Sequence, residues 1–112
     1  MTVDAVRGRS EAGSMRVTDL VDYQDHSVVS REIVRNPAGT LTAFAFDAGE
    51  GLSEHTAPFD AAVHVLEGEA EIRIDGRPHA VGAGEMIVMP AGRPHSLEAT
   101  TRFKMLLIMI KG

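Results

Sequence analysis

The stretch Gly84-Glu85-Met86-Ile87-Val88-Met89-Pro90-Ala91-Gly92-Arg93-Pro94-His95 decides how this chain folds. Gly82 and Gly84 mark a turn, Met86–Met89 is a short apolar run, and Pro90–Pro94 is a rigid corner leading into His95–Ala99. The same grammar extends outward in both directions. Toward the N-terminus, Glu69–Asp75 alternates cleanly, with Ala70, Ile72 and Ile74 on one side and Glu71, Arg73 and Asp75 on the other. That is the pattern of a half-exposed antiparallel strand. Asp75-Gly76 is a two-residue hairpin signal, because a type I′ turn needs positive φ at its central positions. Further runs fall at Ala61–Leu66, closed by Glu67-Gly68, at Thr40–Asp47 and at Ser27–Arg35, the last two separated by the turn Asn36-Pro37-Ala38-Gly39. Arg102–Ile110 ends the chain's periodic part. No segment sustains a 3.6-residue period, and Val17–Tyr23 has room for one helical turn at most. Short runs with turn chemistry at close intervals predict a single all-β domain, a sandwich or barrel.

Composition narrows the function classes. The 112 residues are 44% hydrophobic and 24% charged, an ordinary globular balance. Eleven basic residues stand against 16 acidic ones, a net charge of −5 without a basic stripe, which argues against nucleic-acid binding. The absence of cysteine removes disulfides, thiolate ligands and cysteine nucleophiles together. Met1–Ser14 is polar and without period; it reads as a frayed leader rather than a signal peptide, with the domain proper at 15–112. The longest apolar run, Met105–Ile110, is too short to span a bilayer, so a cytoplasmic protein without membrane partners is expected.

Two spaced patterns carry the chemistry. One is Gly49-x5-His55-x-Ala57-x3-Ala61-x6-Gly68, the other Gly84-x5-Pro90-Ala91-Gly92-x2-His95-x3-Ala99. Together they resemble the two motifs of the cupin family, G-x5-H-x-H-x3/4-E-x6-G and G-x5-P-x-G-x2-H-x3-N. The glycines, the proline and the first and last histidines match. Alanine stands at the second histidine, the glutamate and the closing asparagine. Phrases such as Val65-Leu66-Glu67-Gly68-Glu69 look like those of small stand-alone cupins of the conserved-barrel type. The resemblance spans about residues 40 to 110. It implies an antiparallel double-stranded β-helix, or jelly-roll, barrel. It also implies that His55 and His95 point into the barrel mouth, where family members bind a divalent metal such as Mn, Fe, Ni or Zn.

On this reading the ligand pocket comprises His55, His95, Ala57 and Ala61, with His55 and His95 as metal ligands. Two imidazoles suit such a metal but are fewer than the three protein ligands of a typical catalytic site. The nearby histidines and carboxylates are the candidate replacements. Asp60 needs a one-residue slip or bulge to reach the glutamate position. His64 has outward parity, and Glu54 faces away from His55. His79 shares the parity of Val81 and so could face inward. His26, Glu67, Glu69 and Glu71 read as solvated surface. Met86, Met89, Met105 and Met109 read as adaptable apolar filling.

Several functions fit: a cupin binding a small organic ligand; a metal-dependent enzyme of dioxygenase, isomerase or decarboxylase type; and a partner protein using an apolar outer sheet. The last strand motivates the third. Met105, Leu107 and Met109 face one side, and Leu106, Ile108 and Ile110 the other, so both faces need cover. Phe44 and Phe46 oppose Leu41, Ala43 and Ala45 in the same way. A second subunit packed sheet against sheet is the expected cover, making a homodimer. The alternatives are the N-terminal segment, or strand 27–35 folded over the outside.

Overall fold

A computed structural model describes residues 12–111 of the chain. The hydrophobic runs become nine strands. In chain order they are β1 (Val28–Asn36), β2 (Gly39–Phe46), β3 (Gly51–His55), β4 (Asp60–Glu67), β5 (Glu69–Ile74), β6 (Arg77–Gly82), β7 (Met86–Met89), β8 (His95–Ala99) and β9 (Phe103–Ile110). They form a five-stranded sheet in the order β1-β2-β9-β4-β7 and a four-stranded sheet in the order β3-β8-β5-β6. Every pairing is antiparallel. The result is a jelly-roll barrel whose interior lies between the two sheets. The sole helical element among the described residues is a 3-10 turn at Val17–Asp19.

Alternation sorts the side chains. Phe46, Val63, Val65, Ile72, Phe103 and Met105 are all but inaccessible and fill the interior. The rings of Phe46 and Phe103, direct partners across β2 and β9, stack with centroids 4.5 Å apart. The expected hairpin is present: Asp75 and Gly76 carry φ of 53° and 77°, as a type I′ turn requires. Gly68 is needed for a different reason. Its φ is +77°, and a Cβ there would run into the Arg102 carbonyl and come within 2.7 Å of the Phe103 Cβ. The β4–β5 turn can therefore seat against the start of β9 only with glycine.

On the outer face of the larger sheet, one of the two alternative covers is excluded and the other is present in part. Strand β1 lies beside β2 and extends the sheet; it does not fold over the outside. Instead Leu20 and Val21, at 9% and 4% exposure, pack on Ala43, Ala45 and Ile33, with Met15, Val17 and Leu106 at the margin. A polar clasp holds this segment down. Buried Lys104, the one charge in the run of β9, donates from Nζ to the Thr18 carbonyl at 2.6 Å. The Tyr23 hydroxyl donates to Glu67 at 2.6 Å. Arg102 reaches Asp25 and Asp47 at 2.6 and 2.8 Å. Part of the outer face stays bare: Met86, Val88 and Ile110 are more than half exposed. Of the expected leader, residues 1–11 lie outside the described residues, and 12–14 are exposed.

Candidate functional site

The site begins with an irregularity in one strand. β3 pairs with β8 through Gly51↔Glu98, Leu52↔Leu97 and His55↔His95, so three steps on β3 oppose two on β8. That extra residue is a bulge, and it changes which side chain faces inward. Strict alternation from Leu52 would send Glu54 to the interior and His55 to solvent. The bulge restores His55 to the face of Leu52 and sets it opposite His95.

His95 is placed by the proline–glycine corner. Gly92, at φ +77°, donates its N–H to the Ala57 carbonyl at 2.8 Å. The Ala91 N–H donates to Asp60 Oδ1 at 2.9 Å. The Asp75 N–H donates to the Pro94 carbonyl at 2.9 Å, and the Arg93 guanidinium pairs with the Asp75 carboxylate. Three different segments thus brace five residues of backbone. His95 is 7% exposed, whereas His55 stands open at the mouth.

The two rings meet edge to face with centroids 4.3 Å apart and Nε2 atoms 3.1 Å apart. His55 Nδ1 lies 2.8 Å from the Ser53 carbonyl, and His95 Nδ1 lies 3.1 Å from the Arg93 carbonyl. A carbonyl oxygen only accepts, so each Nδ1 carries the ring hydrogen. When both rings are neutral, their two hydrogens are used there. The facing Nε2 atoms are then two acceptors aimed at one another. This arrangement is relieved by a cation or by a hydrogen-bond donor from a third group. Backbone carbonyls on the far nitrogens are also the usual way a protein orients metal-binding imidazoles.

Behind the pair lies a cavity of about 50 Å³ between the sheets. Ala57 and Ala61 line it, together with Val63, Met89, Met105 and Met109. Ala61 has Met89 and Met109 as its register partners on either side, so a short side chain there leaves open space flanked by thioethers. The four residues read as a pocket in the sequence therefore border one cavity. Three methionines read there as packing also border it.

The substitute ligands do not assemble. Asp60 faces the corner and braces it. His64 lies on the outer face between Met86 and Leu106, in keeping with its parity. His79, expected to be able to face inward, is exposed on β6, the edge strand of the smaller sheet. Among the described residues no group of three histidine or carboxylate side chains converges. Sequence reasoning missed the clasp around Tyr23. There burial first, and then the Glu67 carboxylate, push the phenol well above its ordinary pKa. The available signal was Lys104 itself, a lone charge within an apolar run.

Comparison with solved structures places this architecture. The Streptococcus pyogenes protein described as a conserved SPY1581 protein of unknown function superposes with a TM-score of 0.90 at 35% identity, covering 100% of this chain and 96% of that one. The cupin 2 conserved barrel domain protein of Leptotrichia buccalis gives 0.81 at 44% identity, over 84% of this chain and 46% of that longer one. KdgF from Halomonas sp. shares the fold, with a TM-score of 0.71 at 20% identity over 90% and 96% of the two chains. No curated protein matches. Residues 42–111 match the cupin domain family, and with the two-sheet barrel and both motifs in place, the chain belongs to the cupin superfamily.

Proposed function

We propose that this cupin binds a small organic ligand in the barrel mouth, with His55 and His95 as the polar end of the pocket and Ala57 and Ala61 in its wall. The observation that carries the reading is the pair of Nε2 atoms held 3.1 Å apart at the mouth, each ring's Nδ1 lying beside a backbone carbonyl. Such a pair is prepared for an incoming cation or donor.

The donor set fits a divalent metal in part. The two Nε2 atoms would be the ligands of an ion held here. They supply two ligands, and alanine occupies the positions from which the family draws another histidine and the glutamate. An ion held here would leave its remaining positions to water or to an oxygen of the bound molecule, and in that state it would act as a Lewis acid. Among the described residues, the two imidazoles are the titratable side chains that line the cavity, which supports the binding reading.

A homodimer is the second part of the proposal. Cross-strand partners Val88, Ala62, Ile108, Leu41 and Val34 form one apolar row over all five strands of the larger sheet, on its outer face. The cluster around Leu20 and Val21 takes in Ala43 and Leu106 and, from the row itself, Leu41 and Val34, while Val88 at the row's other end is 56% exposed. A second copy of the same face would cover what remains.

Elemental analysis of protein purified without a histidine tag or chelator, combined with thermal-shift screening of small organic compounds, tests the pocket. The expected result is ligand-induced or metal-induced stabilisation that disappears in the His55→Ala, His95→Ala double variant. Unchanged metal content and unchanged ligand response in that variant would remove the pocket assignment.

A further inference from the structure

We propose that the ligand of this pocket is a small uncharged molecule with an apolar body and a single hydroxyl, such as a phenol or a compact alcohol. The inference rests on reading His55 and His95 as the pocket's polar end, and it names what the rest of the cavity then accepts.

The wall chemistry excludes most alternatives. Among the described residues, no lysine, arginine, aspartate or glutamate lines the cavity. A carboxylate or phosphate drawn inside would find no fixed counter-charge, and burying an unpaired charge is strongly unfavourable. A sugar brings several hydroxyls, each of which needs a partner once water is removed. The surrounding side chains are Leu52, Val63, Leu107 and three methionines, none of which offers a strong donor or acceptor. Ser96 also borders the cavity, but it lies between inward-facing His95 and Leu97 on β8 and pairs with Arg73, so alternation turns its hydroxyl to the opposite face.

The polar end accommodates one group of a particular kind. Both Nδ1 hydrogens are committed to carbonyls, so the Nε2 atoms accept and cannot donate. A hydroxyl donates to such a pair, whereas an ester, ether or ionised carboxylate brings oxygens that only accept.

Size sets the remaining limit. The cavity of about 50 Å³ admits a compact body. The body is therefore a few carbon atoms, or a ring edge where the flexible methionines give way. The space exists because residues 57 and 61 are alanine. Both line the cavity, and Ala61 is flanked by Met89 and Met109 in the adjoining strands.

The test uses the full chain as purified, with methyl-¹³C-labelled methionine, titrated in parallel with phenol, benzoate and glucose. Phenol should shift the Met105 and Met109 methyl signals saturably. Benzoate and glucose should bind at least about tenfold more weakly, a difference of one step in affinity. In Ala61→Leu, which fills the cavity with apolar volume, the phenol shifts should vanish; Ala57→Leu serves the same purpose if that variant does not fold. Tighter binding of benzoate or glucose, moving the same methyls and blocked by the same variant, would overturn the ligand class and leave the pocket reading standing. If none of the three probes moves these methyls, or if the shifts survive both leucine variants, the ligand class and the pocket reading fall together.

Discussion

Replacing Met105 by alanine probes the wall of the pocket and the core at once. Met105 is 1% exposed, borders the cavity, and is held in register between Phe44 on β2 and Val65 on β4. The substitution deletes the Cγ, Sδ and Cε atoms from a dry environment. At about 0.8 kcal/mol for each methylene-sized group, the transfer term alone is roughly 2.4 kcal/mol. The flanking β-ladders resist collapse, so a void remains and adds to the cost, which places the total at about 3–4 kcal/mol within the range for such truncations. For a domain of this length each kcal/mol lowers the Tm by about 4–8 °C, so a fall of roughly 12–30 °C is expected. Thermal and urea denaturation measure it. The enlarged cavity should also take a bulkier ligand, which at a hundredfold excess over Kd returns about 2.7 kcal/mol. A loss below about 1 kcal/mol would refute the reasoning, since that is an ordinary surface effect.

Four further outcomes are expected. Hydrogen bonds from Arg102 first, and then from the His26 backbone N–H, hold the Asp47 carboxyl at about 2 against an ordinary 3.8. A depressed folded-state pKa contributes stability above the unfolded value and loses it as the pH falls toward the folded one. Acid denaturation of Asp47→Asn should therefore be flatter than wild type between those two pH values, and an identical profile would refute this. The raised Tyr23 phenol acts in the opposite sense: its contribution is present below pH 10 and is lost as the pH climbs above it. Tyr23→Phe should flatten the alkaline limb, and an unchanged limb would argue against the clasp. Asp60→Ala removes the acceptor for the Ala91 N–H, costing about 1 kcal/mol and weakening ligand binding through a loosened His95, while Asp60→Asn retains both. Equal ligand affinity in Asp60→Ala would show that the brace does not position His95. Light scattering should find a dimer that Val88→Glu converts to monomer, and a wild-type monomer would remove the interface.

Much of this molecule is legible in its sequence, because two-residue alternation and turn chemistry are local properties. Met86–Met89 and His95–Ala99 begin and end where the pattern places them, and Asp75-Gly76 makes the turn its dihedral preferences demand. The family spacing likewise brings His55, His95, Ala57 and Ala61 to one cavity. What alternation does not reveal is its own interruption. The bulge between Leu52 and His55 depends on pairing with β8, a partner forty residues away, and no residue between them marks it. Parity left the place of His79 open, because the side chain belongs to an edge strand whose alternation governs orientation but not depth. The cover on the larger sheet was underweighted for a related reason. Met15, Val17, Leu20 and Val21 have neither helical nor strand period, and their burial is set by Lys104, Tyr23 and Arg102 acting over long separations.

The most direct test of the account is a long-range ¹H–¹⁵N correlation of the imidazole rings, recorded with and without added zinc and with and without phenol. The account predicts that His55 and His95 both carry their hydrogen on Nδ1, and that their Nε2 resonances move together on addition of either probe. Hydrogens on Nε2, or Nε2 resonances indifferent to both probes, would contradict it.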